Sequence, residues 1–249
     1  MENLIFNKKY YYSWWKNIDK TILIFVISFF LAGLFFSLAS TSLIASDRLN
    51  TNSYYFFAKH LAFIFLGLSI MFTFSLLNED FLIKISIALF VISFLLLLMV
   101  PFIGAEVKGS KRWLDIPFLP RFQPVELIKP FYVVILAFLL NYQKYNLYFK
   151  YFLTLLLIIP IVLLLISQPD IGQSMLVIFT WLALIFISGV NLIIFFGLFV
   201  FFISILTYLI FFVEKFNYIK IRISSFFDSS SNNFSQAEKA SEAIIDGGF

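Results

Sequence analysis

Seven stretches of this chain stay apolar for roughly the length a helix needs to cross a bilayer, about 20 residues. They are Thr21–Leu43, Phe56–Leu77, Phe81–Ile103, Val125–Leu140, Tyr151–Ser167, Gln173–Ser188 and Leu192–Val213. The fourth to sixth are short for a span. The runs are continuous, so they do not fit the in-and-out alternation of barrel strands. Only 13% of the 249 residues are charged, while 61% are hydrophobic, too few charges to cover a soluble globule of this composition. A soluble enzyme, a disordered protein and a nucleic-acid binder are thereby excluded. The net charge of +4 then points to anionic lipid and membrane topology, with no nucleic acid as partner. There is no cysteine, which excludes disulfides and thiolate metal sites, and the single histidine, His60, argues against a histidine zinc site or a Ser-His-Asp triad. The expected class is an all-α polytopic membrane protein with about seven transmembrane helices.

Lys8, Lys9, Lys16 and Lys20 precede the first run and favour a cytoplasmic N-terminus. That run is too long for a signal-peptide core and reads as a retained span. The division is then 1–20 as cytoplasmic N-terminus, 21–213 as membrane domain and 214–249 as an outer segment. Alternation places loops 44–55, 104–124 and 168–172 outside, with 78–80, 141–150 and 189–191 inside. Tyr10 to Trp15 reads as an interfacial aromatic belt. Lys59 and His60 read as snorkelling to the headgroups. No internal repeat is evident.

Loop 104–124 conflicts with the charge rule. It carries Lys108, Lys111, Arg112 and Arg121 against Glu106 and Asp115, yet parity puts it outside. One reading is a tolerated short loop or a miscounted helix. The other is an anion site, in which Lys108, Lys111 and Arg112 beside Trp113 suit a phosphate or diphosphate headgroup. Next come Gln123 and Pro124, the proline suiting a first helical turn. Glu126 and Lys129 stand three apart on one helical face. Such a pair is either structural or part of a polar site. The third cluster is Gln168, Pro169, Asp170, Gly172 and Gln173. Asp170 is either the cap of the sixth span or an acid facing the cationic loop.

Gly109-Ser110-Lys111-Arg112-Trp113, then Gln123-Pro124-Val125-Glu126 with Lys129, then Gln168-Pro169-Asp170-Ile171-Gly172 resemble, in order and spacing, the motifs of the SEDS family. These are the shape, elongation, division and sporulation proteins FtsW, RodA and SpoVE. Val125 stands where the family usually has Ser, and Lys108 where Asn precedes the glycine. The Glu106-Val107-Lys108-Gly109 form, Lys129-Pro130 and the run to Gln173 resemble the alphaproteobacterial type of the division branch. The resemblance implies a ten-helix fold with a large periplasmic loop after the seventh helix. It implies a glycosyltransferase that polymerises lipid II into glycan strands at the bacterial inner membrane, at the division septum. It also implies a class B penicillin-binding protein transpeptidase and other division proteins as partners, besides membrane lipid. The substrate-binding residues it implies are Lys108, Lys111, Arg112, Trp113, Gln123, Glu126, Lys129, Gln168, Asp170 and Gln173. Arg121 is a weaker candidate.

Arg222, Phe226, Asp228, Gln236 and Gly247-Gly248 resemble the start of the family's large outer loop. The family's catalytic aspartate lies in a later segment, so no residue here is assigned as catalytic, and the chain reads as a truncated form expected to lack polymerase activity by itself. No cofactor is identifiable, and dependence on a divalent metal is left open. A lipid II flippase or transporter and a non-catalytic division scaffold stand as alternatives.

Overall fold

The computed structural model describes residues 8–38, 54–107, 110–117, 120–227 and 244–245. By its internal contacts the chain divides into two units, Met1–Leu82 and Ile83–Phe249. Among the described residues, seven apolar helices fall on the seven apolar runs. Five are 18 residues or longer, and two, Lys20–Phe36 and Ile171–Ile187, are shorter. The chain is an all-α polytopic membrane protein.

In the first unit, α1 (Lys8–Asn17) precedes α2 (Lys20–Phe36), and α3 (Tyr55–Ser75) follows. Asp19 caps α2, its Oδ1 accepting from the Thr21 N–H at 2.9 Å and the Ile22 N–H at 3.1 Å. This satisfies two of the donors that a helix start leaves open. The Trp14 indole donates to Ser75 Oγ at 3.1 Å, so the interfacial belt is fastened to the end of α3. Ser69 and Thr73 return their hydroxyls to the carbonyls four residues back, at 2.8 and 2.7 Å, which removes free polar groups from an apolar helix. His60 lies against Gly33 of α2, near 3.5 Å from where a Cβ would stand. The upper end of the first run, past Leu38, lies outside the described residues.

The second unit holds most of α4 (Glu79–Ile103), then α5 (Pro124–Asn141), α6 (Leu147–Ser167), α7 (Ile171–Ile187) and α8 (Leu192–Phe212). A 3₁₀ turn, Glu214–Phe216, leads into α9 (Asn217–Phe227). Asn78 begins α4 by accepting from the Phe81 N–H, with Glu79 and Asp80 in the first turn, where the helix dipole favours acids. The polar inner turn expected at 78–80 is therefore largely helix. Similarly, α6 starts at Leu147 rather than Tyr151, and α7 at Ile171 rather than Gln173.

The core forms where α5, α6 and α7 pack on one another. Ile128, Leu136, Ile161, Leu165, Val177 and Ile185 are fully buried there. On α7 the buried positions Ser174, Val177, Ile178, Trp181, Leu182 and Ile185 form a stripe at helical spacing. The Tyr132 hydroxyl donates across to the Val177 carbonyl at 3.0 Å, a buried bond between α5 and α7. Two smaller hydroxyls are buried nearby. Thr154 and Ser174 bond carbonyls of their own helices, letting helix backbones come close.

Loop 104–124 is more ordered than its sequence suggests. Strand β1 (Ala105–Val107) pairs antiparallel with β2 (Ser110–Trp113), with Glu106 opposite Lys111 and Val107 opposite Ser110. Opposite charges facing each other across a hairpin favour this register. Leu114 and Phe122 then exchange backbone bonds at 2.9 and 3.2 Å, closing the loop. Leu114 is buried and belongs to the core cluster, so the loop is anchored at its centre.

Gly104 joins α4 to this hairpin. Its N–H still bonds the Val100 carbonyl at 2.8 Å. A Cβ at that position would stand 2.3 Å from the same oxygen and 3.1 Å from Val100 Cγ1. Gly104→Ala is expected to lower stability by about 1–3 kcal/mol, the usual cost of forced overpacking. Unfolding in detergent, set against a neutral Gly67→Ala control that meets nothing within 4 Å, measures this.

Candidate functional site

A helix that ends without continuing leaves its last carbonyls without intrahelical partners. At the end of α6 three successive carbonyls are met by side chains from two other segments. Ser167 O accepts from Lys215 Nζ at 2.6 Å. Gln168 O accepts from Arg112 Nε at 3.2 Å. Pro169 O accepts from both Arg112 Nη2 and, at 2.9 Å, the Tyr218 hydroxyl. Arg112 also faces Asp170, with 3.6 Å between Nη1 and Oδ2. Asp170 in turn caps α7 through a 3.4 Å bond from the Gln173 N–H. Both readings of Asp170 thus hold in one geometry, as a helix cap and as the partner of a cation from the hairpin.

A second network lies across the first turns of α5 and α7. Lys129 Nζ sits 2.6 Å from Glu126 Oε2 and donates to Gln173 Oε1 at 3.2 Å. Gln173 Nε2 closes the ring by donating to Glu126 Oε1 at 2.8 Å. The Glu126–Lys129 pair therefore gains a third member from α7, which ties the two helix starts together. A third pair, Arg121 and Asp115, stands at 2.6 Å within the loop and is about half exposed on both sides.

These contacts put the hairpin, the start of α5, the α6–α7 turn and the segment after α8 at one end of the second unit. Loops 104–124 and 168–172 and the chain from Glu214 were assigned to one side by span parity, and they do meet. Of the cations expected to hold an anion, Arg112 is occupied by the turn and by Asp170; the substrate-site candidate Lys129 is occupied by Glu126 and Gln173. Lys111 is exposed on β2 and makes no ion pair among the described residues. Trp113 and Gln123 are half-buried, and Gln123 precedes α5 without a side-chain cap bond. Gln168 is buried, and its amide nitrogen has no partner among the described residues. Lys108 lies outside the described residues, as do Asp228, Gln236 and Gly247-Gly248. Among the described residues no group of three or more acidic or histidine side chains gathers that could hold a metal ion.

Lys215 and Tyr218 were not foreseen as part of this cluster. They fall in a short stretch after the last apolar run, and only the turn of chain at Glu214–Phe216 brings them over the end of α6.

A family model described as "Cell cycle protein", for FtsW, RodA and SpoVE, matches residues 19–249. The chain belongs to this family. A protein of Coxiella burnetii named "Probable peptidoglycan glycosyltransferase FtsW" is 35% identical over 190 residues, covering 74% of this chain and 50% of the relative. One of the same name from Aliivibrio salmonicida is 32% identical, covering 70% of this chain and 44% of the relative. The chain thus spans about half the length of the curated relatives it matches. Among solved structures, the rod shape determining protein RodA of Thermus thermophilus is 29% identical with a TM-score of 0.50, over 68% of this chain and 58% of RodA. A structure titled as the coordination of polymerization and crosslinking by a peptidoglycan synthase complex is 27% identical with a TM-score of 0.57, over 77% of this chain and 58% of that one.

In this FtsW/RodA/SpoVE chain Arg112 is foremost a structural tie. Arg112→Ala would take the cation from the Asp170 carboxylate, 11% exposed, remove the Gln168 carbonyl's donor and leave Pro169 O to the Tyr218 hydroxyl. The expected loss is about 2–3 kcal/mol, the scale of hydrogen bonds to a charged group. Arg112→Lys should recover little of it, because an ammonium cannot reproduce the guanidinium fork. Lys111→Ala should leave the melting temperature nearly unchanged, and thermal unfolding of the three variants in one detergent separates these outcomes.

Proposed function

We propose that this chain serves a peptidoglycan glycosyltransferase that polymerises lipid II into glycan strands for septal wall synthesis. The relatives' printed names support the activity. In this reading the chain crosses the bacterial inner membrane several times with a cytoplasmic N-terminus. Residues 1–20 stay in the cytoplasm, 21–213 form the membrane domain, and 214 onward begins a periplasmic loop. The tied end of the second unit then faces outward, where lipid II presents its sugars and diphosphate. A class B penicillin-binding protein transpeptidase is the expected partner, supported by the likeness to a synthase complex that joins polymerization with crosslinking.

The chemistry requires the 4-hydroxyl oxygen of the acceptor sugar to attack the anomeric carbon of the donor. The bond from that carbon to the diphosphate breaks, and undecaprenyl diphosphate leaves with the bonding pair. The hydroxyl proton passes to a carboxylate base. Glu126 and Asp170 are each held by a cation and are not assigned that role. What this chain offers is a place for the anion. Fixed cations near the diphosphate offset the charge that grows on it as it leaves. Lys111 is the described cation left available for that task, displayed on a hairpin that Arg112 and Leu114 hold still. The remaining named residues, Trp113, Gln123, Glu126, Lys129, Gln168 and Gln173, shape the surface around it.

The observation that carries this reading is the exposed Lys111, which faces Glu106 across the hairpin but forms no ion pair among the described residues, beside three cations that are each matched to a carboxylate. Lys111→Glu is expected to weaken lipid II binding to the chain in nanodiscs by about fivefold or more. One reversed charge a few ångströms from a diphosphate is worth at least about 1 kcal/mol. Unchanged binding would remove the anion-docking role.

A further inference from the structure

We propose that Lys215 and Tyr218 are positioning residues that set Arg112 and Asp170 for docking of the lipid-linked diphosphate, an inference that rests on the function proposed above. The argument starts from the end of α6. Its carbonyls carry the negative end of the helix dipole and stand free of intrahelical donors. Arg112 reaches only two of them, Gln168 O and Pro169 O. Ser167 O is taken by Lys215 at 2.6 Å, and Pro169 O is shared between Arg112 and the Tyr218 hydroxyl at 2.9 Å. Arg112 and Tyr218 thus grip one atom from opposite segments of the chain.

This shared carbonyl links the two segments mechanically. The Ser167, Gln168 and Pro169 carbonyls are all held by donors from outside the turn, so those donors keep the turn in place. If Lys215 and Tyr218 let go, the turn relaxes, and the two carbonyls that orient the guanidinium move with it. Asp170, one residue on, moves too, and with it the cap of α7. Phe216, buried between the two donors in sequence, plants the segment in the core cluster, so the grip comes from a fixed base. Any displacement of the chain beyond α8 is therefore transmitted to the docking surface through two hydrogen bonds.

The test reads Arg112 directly. The chain in lipid nanodiscs is treated with phenylglyoxal, and modification of Arg112 is compared by mass spectrometry with that of Arg121, which is 49% exposed against 26%. Lys215→Met with Tyr218→Phe should raise the Arg112 rate relative to Arg121 about fivefold or more, the worth of one to two hydrogen bonds. Lys215→Arg alone should stay near the original rate, because it can donate to the same carbonyl, whereas Lys215→Met alone should not. The same variants should bind lipid II more weakly. An unchanged Arg112 rate in the double variant overturns the proposal. A raised Arg112 rate with unaltered lipid II binding leaves the contact standing but refutes its role in docking. Should the double variant fail to fold, Tyr218→Phe alone gives the same reading at smaller amplitude.

Discussion

A guanidinium bound to the open end of a membrane helix is the contact on which this structure depends. The end of α6 leaves three carbonyls to be met from outside the helix, and side chains of other segments take them. Arg112 answers two of them and Asp170 at once, bringing a β-hairpin from before α5 onto the turn between α6 and α7. Once that turn is fixed, Asp170 starts α7 and Gln173 is set to join Glu126 and Lys129. The helix starts are thereby aligned at the same end from which the buried stripe on α7 packs against α5 and α6. Polar contacts at one end and van der Waals packing along the spans specify the same arrangement.

Loop 104–124 and the first turn of α5 are rich in cations, and most of the described ones are met by carboxylates. Arg112, Arg121 and Lys129 each have a carboxylate of their own within the same cluster. The loop carries far less free positive charge than a count of its residues suggests. Lys111 stands out because its neighbours are matched.

Much of this was legible in the amino-acid sequence, for physical reasons. A continuous apolar run near the length of a span admits few structures, so each run appears as a helix, and its described ends lie within a few residues of their expected places. Pro124 and Asp170 marked helix starts because their chemistry suits those positions and few others. The side of each helix that faces the bundle was not legible, since lipid-facing and core-facing residues are equally apolar. Trp181 and Phe186 look alike in sequence, yet one is buried and the other half exposed. The hairpin at Ala105–Trp113 was read as loop because three- and four-residue strands give no periodic signal. The ten site residues were found by their motifs, while their division into ties and available groups required the distances. Lys215 and Tyr218 lay in a stretch that showed neither motif nor period.

The central claim is that the tied polar end of the second unit faces away from the cytoplasm, with Lys111 displayed there. The chain has no cysteine, so a single Ser110→Cys substitution beside Lys111, and separately Tyr145→Cys at the opposite end of α5, gives an unambiguous probe. A thiol reagent that cannot cross the membrane, applied to intact spheroplasts, should label position 110 and spare position 145 until the membrane is opened. Labelling of 145 with protection of 110 would place the docking surface on the cytoplasmic side and contradict the account.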